Sequence, residues 1–289
     1  MIDSHHHLWP ESAIPAQAWR PAEDAALRRA FDADEFRELR GAAGVSGSVL
    51  MQSVDDDQEN ERLLAYARRD EGIAGIVVWL PLREPARARP LLDAVLARAD
   101  AMGLRPQLAG VRCLIGHDDL GGLLEEESLR LFRELAAQDL AWDVVPITAQ
   151  QRDAVAALGR AVPDLRIVID HLAAPPTDGD WEPWSTALRS LAGVERTAVK
   201  LSIGVAVLAA LERWDRGFAA EAFGRALDAF GPERAMIASN WPVVELRAPY
   251  ATAWQDQVDV LRGTLDGGDL ERVLGGTAVE WYRLDGVAR

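Results

Sequence analysis

The sequence is poor in cysteine, in histidine and in positive charge. One cysteine in 289 residues, Cys113, excludes an internal disulfide and fits a reducing compartment, so a cytoplasmic location is expected. No apolar run approaches the roughly 18 residues that span a bilayer. The first residues lack the basic-then-apolar order of a signal peptide. Acidic residues number 46 against 31 basic ones, a net charge of −15. That field repels nucleic acid and anionic membrane surfaces, so neither is expected as a partner. It leaves the charge of a small substrate open, because local arginines can override it. No GxGxxG or GxxxxGK[ST] follows a strand pattern, so the usual motifs for nucleotide phosphates are missing. Low-complexity linkers and internal repeats are also absent.

What is present is an alternation of β-rich and helical segments. Strands are predicted over 1–4, 47–52, 75–80, 109–113, 141–147, 166–170, 197–201 and 235–239. Several, such as GIVVWL and RIVID, are continuously apolar, the pattern of strands covered on both faces in a parallel sheet. Helices are predicted over 34–43, 57–69, 85–102, 126–138, 148–161, 184–192, 216–230 and 270–282. Asp32 with Glu35 three residues on approaches a capping box. The run Asp55, Asp56, Asp57 suits a helix N-terminus better than a metal site. Eight β-then-helix units in one domain of residues 1–289 predict a (β/α)8 barrel. A doubly wound open sheet, which usually carries fewer strands, is the competing architecture.

Segments after strand ends are long (8–31, 172–184, 241–250), whereas those before strands are short. In a barrel the long set opens on the C-terminal face, where active sites are built. Trp9, Trp181, Trp184 and Trp241 fall in these segments, the first beside Trp19 in the 8–31 loop, and could wall a pocket or simply pack there. The last segment, VLGGTAVEWYRL, reads as a final barrel helix packed on the outside.

The five histidines can then be placed. His5 and His7 lie two apart at the end of the first strand, so they share a face, while His6 points away as a structural residue. His171 ends the run RIVID. Three imidazoles therefore meet over the barrel mouth, and imidazole is a common ligand of zinc-like ions. Arg112 in GVRC and Lys200 in AVKLS reach the same rim, as solvated charges or as groups that hold a carboxylate or polarise a carbonyl.

These stretches (IDSHHHLW, GVRC, IDHLAAPP, VKLS, IASNWPV and VLGGTAVEWYRL) resemble the amidohydrolase superfamily, in its branch of hydrolases of sugar lactones and related lactones. They follow in order along nearly the whole chain. The resemblance implies hydrolysis of a lactone, with an aldonolactone the expected substrate. Its metal ligands would be His5, His7 and His171, holding either one zinc-like divalent ion or none. Substrate contacts would come from Arg112, Lys200, Trp9 and Trp241, and His171 would also serve catalysis. The expected partner is a small lactone or sugar acid, in carbohydrate metabolism. Homo-oligomer formation stays open.

The chain departs from the family's motifs at several points. Cys113 follows Arg112 where the family has His, Ala173 and Ile203 replace glycines, and SNWP replaces SDWP. The last places Asn240 where the resemblance implies a general-base aspartate. A carboxamide can position a water but has no useful basicity. Three readings stay open: a deliberate Asp→Asn change, a natural enzyme using another base (His171, Asp143 or Glu245), or a barrel that binds a ligand without turnover. A decarboxylase of an aromatic acid is a further alternative.

Overall fold

The structure is a computed structural model that describes residues 1–21 and 25–284. The final five residues of the expected 1–289 domain, and 22–24 of the first long loop, lie outside the described residues. Eight parallel strands follow one another around the molecule in sequence order. They are β1 (Ile2–His6), β2 (Gly47–Met51), β3 (Ile73–Trp79), β4 (Leu108–Arg112), β5 (Ala141–Val144), β6 (Ile167–Ile169), β7 (Thr197–Leu201) and β8 (Ala235–Ile237). The ring closes beyond β8: Asn240 N donates to His5 O at 2.9 Å and His7 N to Trp241 O at 2.7 Å. The protein is a (β/α)8 barrel.

Helices α1 (Ala33–Ala42), α2 (Glu59–Arg69), α3 (Pro85–Met102), α4 (Glu126–Ala137), α5 (Ala149–Ala161) and α6 (Trp181–Ala192) connect β1 to β7. Then come α7 (Val205–Ala210), α8 (Arg216–Phe230), α9 (Tyr250–Thr264), α10 (Gly267–Glu271) and α11 (Thr277–Tyr282). Local chemistry sets the starts. Asp32 accepts from Glu35 N at 2.9 Å to begin α1. Thr148 and Gln151 form a full capping box on α5. The aspartate run precedes α2, and Asp56 accepts from Gln58 N at 2.7 Å in the turn before it. No described helix is long and apolar enough to cross a membrane.

Two helices differ from the expectation. The helix after β8 is α9, whose buried Tyr250, Ala253, Trp254, Gln257, Val258 and Leu261 recur at helical spacing. Residues 270–282 are not an outer barrel helix. They break into α10, a wider turn over Arg272–Gly276, and α11. The side chains of Ala278, Tyr282 and Leu284 enter the barrel's own interior cluster beside Ile2, Val77, Ala109 and Met236. Residues 277–284 therefore plug the N-terminal end of the barrel. Apolar inner walls with no other cover make that burial favourable.

Candidate active site

At the C-terminal ends of the strands lies a cavity of about 170 Å³, lined just after β1 by His7, at the end of β4 by Arg112, just after β6 by His171 and beyond β8 by Asn240. Each reaches it by local geometry. The β1–β2 pairing shifts register between Asp3 and His6, which resets the alternation just before the mouth. His5 and His7 then turn inward. His6 faces outward and stacks on Phe36 of α1 at 3.9 Å between ring centroids. His171 opens a left-handed run through Ala174, φ 50 to 58°, that swings the imidazole over the mouth. Gly204 makes room for it, since a Cβ there would lie 3.1 Å from His171 Cβ. Asn240 also takes a left-handed φ, 57°, which asparagine tolerates well.

The histidines are neutral donors of lone pairs. Burial pushes His5 and His7 well below the usual imidazole range and His171 down to about 3. His7 Nδ1 donates to Met51 O at 3.1 Å, which leaves its Nε2 unprotonated. His5 Nδ1 lies 3.2 Å from both Asp170 Oδ1 and Lys200 Nζ, and in the tautomer that turns its proton to the Asp170 carboxylate its Nε2 is bare as well. The two Nε2 atoms are 3.0 Å apart. Two bare nitrogens at that spacing match neighbouring ligands on one ion with bonds of about 2.0–2.1 Å. One ligand atom each from His5, Asp170 and His171 also lies within 4.8 Å of the others. The donor set fits a divalent cation. The aspartate run does not belong to any such group among the described residues.

Below the histidines is a buried charge network. Lys200 Nζ lies 2.6 Å from Asp143 and 3.0 Å from Asp170. Arg112 Nε lies 3.1 Å from the other Asp170 oxygen, and its Nη1 donates to Gln52 O at 2.8 Å. Burial opposes ionisation of Asp170, but Lys200, His5 and Arg112 outweigh it and hold the carboxyl well below its usual range. Asp143 is pushed up to about 6 by burial and by the charge of Asp170, against the pull of Lys200. Tyr282, on the plugging helix, donates its hydroxyl to Asp143. Gly110 admits that carboxylate, since a Cβ there would sit 3.2 Å from Asp143 Oδ2.

This geometry corrects three expectations. Lys200 is fully buried and does not line the cavity, so it holds carboxylates inside the barrel and not a substrate at the rim. Trp9 and Trp241 are also fully buried and outside the lining. Trp241 stacks on Phe36 at 5.0 Å and donates Nε1 to Glu245, while Trp9 packs edge-on against Phe31. Large rings next to a barrel wall gain more from burial than from solvent contact. Trp19 is the tryptophan that lines the cavity, with Nε1 donating to Ser53 O at 2.7 Å. Of the candidate replacement bases, Asp143 lies under Lys200 and Glu245 lies behind Trp241, whereas His171 faces the cavity.

Asn240 Nδ2 donates to Ile203 O at 2.8 Å, and its buried Oδ1 has no protein partner. An ionised aspartate could not make the first contact. Asp170, central to the network, escaped the sequence reading. Its signal was adjacency to His171 at a strand end.

The amidohydrolase family profile matches residues 2–284, so the chain belongs to the amidohydrolase family. A protein of Burkholderia ambifaria named L-fucono-1,5-lactonase is 32% identical, with 98% of this chain and 96% of that protein aligned. Its namesake from Burkholderia multivorans is 31% identical over the same shares of each chain. The crystal structure of a Burkholderia multivorans amidohydrolase, 28% identical with 98% of both chains covered, superposes with TM-scores of 0.86 in a HEPES-bound form and 0.85 in a zinc-bound form.

Proposed function

We propose that this chain hydrolyses a lactone at the barrel mouth. The observation that carries the reading is the convergence of Arg112, His171 and Asn240 on one cavity above the His5–His7 pair. In this reading the guanidinium of Arg112 faces the ester carbonyl, where its Nη2 hydrogen-bonds the oxygen as negative charge grows on it. His171, steadied by Ser202 Oγ at 2.8 Å from its Nδ1, presents Nε2 to the attacking water. Asn240 orients that water through its unpaired Oδ1 and does not take its proton. His5, His7 and His171 are the residues that would hold a divalent ion, in which case His171 Nε2 would be a ligand and would not face the water. Such an ion, when bound, supplies a Lewis acid and a more acidic water. The curated relatives are named for L-fucono-1,5-lactone, and an aldonolactone is the first substrate to offer.

The test is acid release, followed with a pH indicator, from a panel of aldonolactones and alkyl lactones. The chain is run beside its Asn240→Asp variant. General-base assistance is worth roughly 10²–10⁴ in rate, so the variant is expected to be faster by that order. Equal rates would remove position 240 from proton transfer. No acid from either protein on any lactone would end the hydrolase reading in favour of a binding barrel.

A further inference from the structure

The cavity's polar groups are gathered at its floor, and the rest of its wall is aliphatic. Leu114 and Ile115 follow β4, Val145 and Ile147 follow β5, and Val205 and Val207 come from the first turn of α7. The ring of Trp19 adds to the same surface. Among the described residues Arg112 is the one charged side chain in the lining, and Asp170 already balances it. Ser53 also lines the cavity, but its hydroxyl donates to Glu59 at 2.9 Å. The polar residues of the loop after β4, His117 to Asp119, are exposed and stand outside the lining.

This wall is held in place. Gln151 is buried and clamps both wall loops at once. Its Nε2 donates to Gly116 O at 3.0 Å and to Asp118 O at 2.9 Å, while its Oε1 accepts from Ile147 N at 2.9 Å. Swinging a polar residue into the cavity would break this clamp.

Resting on the lactone-hydrolase reading, we infer that the substrate is a neutral monocyclic lactone carrying an alkyl or alkenyl substituent. The ester sits on the polar floor and the substituent lies on the aliphatic wall. A ring hydroxyl pressed against Leu114 or Val205 would lose its water partners and find no side-chain replacement, which weakens binding roughly 5- to 150-fold for each such group. A methylene in the same place strengthens it about fourfold. Among the described lining residues a carboxylate on the substrate would meet only Arg112, which Asp170 already pairs. The substrate class therefore differs from the polyhydroxylated lactone for which the relatives are named.

The experiment compares kcat/KM for δ-valerolactone, δ-hexalactone and δ-octalactone with that for L-fucono-1,5-lactone, on the chain and on Asn240→Asp. The expected result is a rise of about fourfold per methylene until the cavity is filled. The aldonolactone should fall at least tenfold below δ-octalactone. A preference for the aldonolactone would overturn the inference and leave the hydrolase reading intact. If neither protein hydrolyses any lactone, the hydrolase reading fails and binding decides the ligand class. Calorimetry would then use non-hydrolysable lactams, a 6-alkyl-2-piperidinone against a polyhydroxylated piperidinone. Tighter binding with a longer alkyl chain supports the apolar class. Binding of the polyhydroxylated lactam alone, or of neither, overturns it.

Discussion

Lys200 Nζ lies 3.0 Å from Asp170 Oδ1, and both side chains are fully closed to solvent. Lys200 is also the only lysine in the chain. It joins Asp170 to Asp143, so two buried carboxylates are held by Lys200 and Arg112. The histidines above stand on this balanced set. Lys200→Met leaves one cation for two buried carboxylates, and breaking a buried pair in this way costs about 3–5 kcal/mol. Urea unfolding should show that loss. A change below about 1 kcal/mol would mean that the carboxylates can do without their lysine.

The two tryptophan environments predict opposite phenotypes. Trp241→Ala empties a fully buried site packed on Phe31 and Phe36, at a cost of about 3–5 kcal/mol. Trp19→Ala removes a half-buried ring from the cavity lining. It should raise KM with a much smaller loss of stability. Denaturation curves and steady-state kinetics on the two variants check both halves. A raised KM for Trp241→Ala in a fully stable protein would return that residue to the substrate site.

Cys113 lines the cavity, yet burial pushes its thiol up to about 12 from 9.0. A raised pKa means less thiolate at every pH below 12. At pH 8 the reactive fraction drops about a thousandfold relative to an unperturbed thiol. Iodoacetamide labelling of the folded chain should be correspondingly slow and should climb steadily from pH 8 to 11. Unfolding in urea should restore ordinary reactivity. A plateau in the folded protein's rate below pH 9 would contradict this.

Zinc should distinguish the chain from Asn240→Asp. The carboxylates under the site are already balanced by Lys200 and Arg112. A divalent ion among His5, His7 and His171 would meet neutral imidazoles, with Asp170 the one carboxylate grouped with them, and an added carboxylate at position 240 would attract it. Asn240→Asp is expected to bind zinc roughly tenfold tighter or more. Without zinc, the variant loses the hydrogen bond to Ile203 O and should be less stable by about 1–2 kcal/mol. Thermal melts with zinc and with a chelator measure both effects. Melts of both proteins that ignore zinc would exclude the His5–His7 pair as an ion site.

Much of this molecule was legible in one dimension. Continuous apolar runs marked several of the eight strands because both faces of a parallel barrel strand are buried. Strand ends marked the mouth, which brought His7, His171, Arg112 and Asn240 to one cavity. The parity argument separated His6 from its neighbours, although a register shift at β1 was needed to turn His5 and His7 inward. Helix α9 was also written in the sequence, in apolar residues at helical spacing, but counting one helix per strand hid it behind the C-terminal segment.

Other features had no such signal. Periodicity tells which face a side chain takes, not how deep along the barrel axis it lies. Lys200 and Arg112 both end strands, yet Lys200 is sealed among carboxylates while Arg112 reaches the cavity. Loop tryptophans looked exposed because loops usually are, and only packing against Phe31 and Phe36 buried Trp9 and Trp241. The sequence by itself determined the barrel and the chemistry available at its mouth. The tertiary structure alone decided which of those groups reach the cavity. Charge pairing, the plug formed by residues 277–284 and the clamp of Gln151 each join residues far apart in sequence, through contacts that exist only once the barrel has closed.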